Sequence, residues 1–114
     1  MVEVDAARFE ALVVQALDGI PEALGRRMDN VVVRVRDEAR GRDLLGLYEG
    51  IPLTERHTYG GLAMPDRITI YRLPICDMCD DEAAVVDQVR ITVVHEVAHH
   101  FGIDDDRLEE LGWA

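Results

Sequence analysis

The sequence predicts a single α+β domain, on three observations. Apolar residues recur at helical spacing near the N-terminus, two later stretches are β-branched and alternate as strands do, and a long helical stretch occupies the last third. At 114 residues the chain can bury roughly two thirds of the surface its unfolded form exposes, so residues 1–114 are expected to fold as one domain without staples.

From Asp5 to Asp18, Phe9, Leu12, Val13, Ala16 and Leu17 share one helical face, and Asp5 suits the N-cap. Gly19 and Pro21 end this helix, and Glu22 to Arg27 adds a short turn before Asn30. Val31–Arg36 is β-branched and then alternating, hence a strand. After the polar stretch Asp37–Asp43, the apolar run from Leu44 to Tyr48 reads as a short strand suited to a sheet edge, closed by Gly50 and Pro52. Thr54 to Asp66, with Gly60, Gly61 and Pro65, reads as loop, and Arg67–Arg72 as a strand with Ile68 and Ile70 on one face. A cysteine-bearing loop follows. Asp80 to Glu82 then offers an N-cap to a helix running to about Phe101, its apolar stripe formed by Ala84, Val85, Val89, Thr92, Val93 and Val97. Gly102 suits the C′ position, and Asp104 or Asp105 starts a last short helix toward Trp113.

Composition narrows the function classes. Nearly half of the residues are apolar, as in a globular protein, and the net charge of −11 with scattered arginines argues against nucleic acid as a partner. The first residues lack a basic start and an apolar core, and no apolar run approaches the roughly 18 residues of a membrane span, so the expectation is a cytoplasmic protein without a membrane partner. Cys76 and Cys79 are too few and too close for a disulfide framework. They read as loop thiols without a function, or as a redox pair or half of a metal site.

The chemistry concentrates in His95-Glu96-Val97-Ala98-His99, followed by Gly102 and Asp105. On a helix, residues four apart lie one turn apart on the same face, so the two imidazoles can reach one metal ion. Glu96 stands beside that face, where it can touch a water without ligating the ion, as a general base must. A catalytic zinc usually keeps three protein ligands and leaves one position open. Asp105, ten residues after His95 and past a glycine that permits a sharp turn, is the candidate third ligand, with Asp104 and Asp106 competing by position. His100 projects about 100° away from His99 and reads as a packing or supporting residue.

This H-E-x-x-H-x-x-G-x-x-D stretch resembles the small bacterial zincin-like metallopeptidases, whose physiological role is unknown. The resemblance extends to Leu45–Arg56, Pro65–Tyr71 and His99–Asp105. It implies a minimal zincin fold, with an N-terminal helix, a small mixed sheet packed on a long active-site helix, and a short C-terminal helix. It also implies Zn2+ held by His95, His99 and Asp105, with Glu96 as catalytic base. Unlike larger relatives with a methionine turn beneath the metal, the nine residues after Asp105 contain no methionine, so support for the site must come from elsewhere.

Two functions follow. The first is a zinc-dependent peptidase that cleaves a peptide or protein substrate extended along the Leu45–Glu49 strand edge. The second is a catalytically weak or inactive metal-binding protein of the same fold that serves a protein partner. Tyr48, Tyr59, Tyr71, His57 and Arg56 are the chemically able oxyanion donors.

Overall fold

The computed structural model describes residues 1–41, 43–50 and 65–113. Most of the predicted Thr54–Asp66 loop, with Arg56, His57 and Tyr59, lies outside the described residues.

Helix α1 (Ala6–Asp18) begins as its spacing requires: the Asp5 carboxylate accepts from the Arg8 amide at 2.8 Å, and Phe9, Leu12, Val13 and Ala16 turn inward. The expected turn after Pro21 is a one-turn helix α2 (Glu22–Gly25) continued by a 3₁₀ turn at Arg26–Met28. Strands β1 (Val31–Arg36), β2 (Gly46–Glu49) and β3 (Asp66–Tyr71) form a mixed sheet in the order β1-β3-β2. β1 runs parallel to β3 with Val33 opposite Ile68, and β2 runs antiparallel to β3 with Tyr48 opposite Ile68. Period-2 alternation sends Ile68 and Ile70 into the core, while Thr69 accepts a hydrogen bond from the Arg34 guanidinium on the opposite face.

The predicted cysteine loop is instead helix α3 (Arg72–Met78). Its Pro74 sits in the first turn, where a missing amide hydrogen leaves no bond unmade. Cys76 lies on this helix and Cys79 is its extended C-cap, in the connection to the next helix; both thiols are free and buried in the core. Burial raises the pKa of both thiols, so the reactive thiolate is disfavoured.

Helix α4 (Glu82–His100) is the centre of the molecule, capped by the Asp81 carboxylate and packed against both α1 and the sheet. Val85, Val89, Val93, Val94, Val97 and Ala98 are fully buried. Gly102 follows with φ +77°, the left-handed conformation that lets the chain reverse, and Asp104 caps α5 (Asp105–Leu111). Leu108, fully buried, pins α5 to the core. No helix among the described residues is long and apolar enough to cross a membrane.

Candidate metal centre

The site begins with the last two turns of α4. Val93, Val94, Val97 and Ala98 hold the helix against the core, which leaves His95 and His99 on its outer side with ring centroids 5.7 Å apart. The turn at Gly102 then brings α5 back toward the same side. Because Asp104 takes the N-cap, the carboxylate of Asp105 is available to face the histidines, and its Oδ1 lies 3.0 Å from His99 Nε2. One nitrogen from each histidine and one Asp105 oxygen lie within 4.8 Å of one another. Among the described residues no other group of three such side chains comes together.

This set fits a zinc ion. Tetrahedral bonds of about 2.0–2.2 Å place neighbouring donors roughly 3.5 Å apart, a movement of the order of an ångström from the separations found here. The side chains of His99 (51 % exposed) and Asp105 (72 % exposed) have room to make it by χ rotation. The hydrogen bond from His99, reinforced by attraction from both imidazoles, holds the Asp105 carboxyl below the usual carboxylate range. Asp105 therefore keeps the ionised form that a metal ligand requires. Asp104 is occupied as a cap, and Asp106 is not among the three clustered residues.

Glu96 opens beside the ligand face, not on it. With His95 it lines a cleft of about 220 Å³ between α4 and the start of β2, closed by Gln88, Ile91, Thr92 and residues Asp43–Gly46. Gly46 makes this cleft possible: a methyl group there would meet Thr92 Cγ2 at 2.6 Å and the Thr69 carbonyl oxygen at 3.2 Å. An isolated glycine inside an apolar strand was the sequence signal for such a close approach.

His100 does not join the ligands. Its ring stacks on Tyr48 at 3.9 Å, and its Nε2 is 3.8 Å from Asp66, whose carboxylate also accepts from the Tyr48 hydroxyl at 2.7 Å. This cluster ties the end of β2 to the end of α4. It also commits the Tyr48 hydroxyl, while Tyr71 is buried at the end of β3, so neither offers a ready oxyanion donor.

A model of the zincin-like metallopeptidase family matches residues 28–113. The chain belongs to that family. The match takes in the whole sheet, the metal-ligating candidates and α5, and leaves out α1. Among solved structures, a conserved hypothetical protein from Thermo thermophilus is similar, with a TM-score of 0.54 and 20 % identity over 86 % of this chain and 94 % of that one. At that identity the similarity concerns the fold. No curated protein matches the chain.

Proposed function

We propose that this zincin-like protein is a zinc-dependent peptidase with His95, His99 and Asp105 as ligands and Glu96 as general base. One observation carries the reading: two imidazoles and a carboxylate converge beside a glutamate that shares a cleft with the first histidine. A zinc ion bound there supplies a Lewis acid and makes a nearby water acidic enough to be deprotonated at neutral pH. Glu96 takes that proton on its carboxylate and returns it to the leaving amine. The peptide lies along β2, which pairs with β3 on one side and has no strand partner on the other among the described residues. Gly46 holds this strand close to α4, and the Tyr48–Asp66–His100 cluster fixes its far end.

The test has two parts. Zinc content of purified protein should fall in His95→Ala and stay at wild-type level in Glu96→Gln; equal zinc in wild type and His95→Ala refutes the ligand set. Cleavage of a broad peptide library by the zinc-loaded wild type should be lost in Glu96→Gln. If both cleave alike, Glu96 is not the base. If neither cleaves, the second reading, a metal-binding protein that serves a partner, takes precedence.

A further inference from the structure

The peptidase reading leaves open what kind of peptide is taken, and the following inference rests on that reading. β2 and α4 run side by side in the same direction: Gly46 abuts Thr92, and Gly50 abuts His100, where an added methyl would come within 3.3 Å of the ring. A peptide antiparallel to β2 therefore travels from the His100 end toward the Thr92 end, and its C-terminal part leaves past Leu45 and Asp43. Asp43 lines the cleft beside His95, and it also lines a second, larger groove of about 790 Å³. Asp43 is the residue that the two linings share.

Apolar and acidic side chains line the larger groove together. Leu73 and Pro74 of α3 are among them, with Leu73 43 % exposed, as are Glu3, Glu38, Asp43 and Asp77. None of these four carboxylates has a salt-bridge partner among the described residues. Arg72, which also lines the groove, is already held by Asp37 at 3.0 Å and by the Val4 carbonyl at 2.7 Å. The Met1 ammonium lines the groove as well and lies 3.5 Å from Asp80. The groove therefore offers apolar surface together with an excess of negative charge.

We propose that this groove receives the part of a peptide substrate C-terminal to the cleaved bond, and selects segments that combine basic and apolar side chains. Charge complementarity sets the preference for Arg or Lys, and contact with Leu73 and Pro74 sets the preference for an apolar neighbour.

Two labelled peptides of equal length test this, one carrying Arg and Leu after a shared central sequence, the other carrying Glu in place of Arg. Binding to zinc-loaded Glu96→Gln protein is read by fluorescence anisotropy, so that no turnover intervenes. The basic peptide should bind roughly three- to tenfold tighter, as expected for two solvent-exposed charge pairs, and the advantage should shrink at high salt. Glu38→Gln with Asp43→Asn should abolish it, and Glu38→Arg with Asp43→Arg should invert it. Equal affinities, an advantage that survives charge reversal, no binding of either peptide, or an equal advantage when the arginines precede the central sequence would each overturn the assignment. Cleavage of both peptides by the wild type at equal kcat/KM overturns the groove and leaves the peptidase reading intact. Charge-dependent binding without any cleavage refutes the peptidase reading and with it the substrate role of the groove, leaving a peptide-binding surface only.

Discussion

Replacing Gly46 by alanine should force β2 away from the helix that carries the candidate metal ligands. The new methyl would sit 2.6 Å from Thr92 Cγ2, about an ångström inside ordinary carbon contact, and 3.2 Å from the Thr69 carbonyl oxygen. Thr92 has little freedom to yield. It is 7 % exposed, and its hydroxyl donates to the Gln88 carbonyl at 2.8 Å, a bond that fixes the direction of its methyl. Overpacking of this kind costs about 1–3 kcal/mol. With about 2.1 cal/mol/K of unfolding entropy per residue, a 114-residue chain should lose about 4–12 °C in Tm. Thermal unfolding followed by circular dichroism measures this directly. Thr92→Ser keeps the hydroxyl and removes the offending methyl, so Gly46→Ala with Thr92→Ser should regain more than half of the loss, the remainder reflecting the Thr69 contact. The reasoning fails if Gly46→Ala melts with the wild type, or if the two substitutions simply add.

Three other perturbations follow from the same packing. Leu108→Ala removes the anchor of α5 and should cost about 2–5 kcal/mol by equilibrium urea unfolding, with zinc affinity falling because Asp105 loses its support; unchanged affinity would show that α5 is held by other contacts. Cys76 and Cys79 should resist iodoacetamide in the native protein at pH 8 and react promptly in denaturant, since both thiols are buried and their pKa values raised; rapid native alkylation followed by mass spectrometry would contradict that placement. Arg8 donates to both Glu82 oxygens across the α1–α4 contact, which holds the Glu82 carboxyl below its ordinary range. The pair's contribution is present above the ordinary carboxylate pKa and is lost as pH falls through the lowered folded value, so Glu82→Gln should be less stable than wild type near neutrality and should converge with it in acid. Both side chains are solvent-exposed, so the difference should be small and should fade at high salt; a difference that persists in acid would assign it to another cause.

What the sequence determined by itself was whatever depends on neighbours along the chain. Helical periodicity placed α1 and α4, Asp5 announced the first cap and Asp80 to Glu82 bracketed the second, and alternation in Arg67–Arg72 put Ile68 and Ile70 on one face, which is the core face. His95 and His99 were legible as a pair for the same reason, because a four-residue spacing on one helix is geometry already. Asp105 was legible only in part: its spacing suggested a ligand, but its orientation depends on the left-handed Gly102, on Asp104 taking the cap, and on Leu108 fixing α5. Helix α3 was read as a cysteine-bearing loop because it spans only seven residues, too few to display a helical period. The remaining features were decided by tertiary structure alone. The Tyr48–Asp66–His100 cluster, the contact of Gly46 with Thr92, and the place of Asp43 in the lining of two grooves each join residues distant in sequence, and no local pattern encodes which strand edge will lie beside which turn of a helix. The candidate metal ligands could therefore be read from the motif, whereas the surface that would choose a substrate required the folded chain.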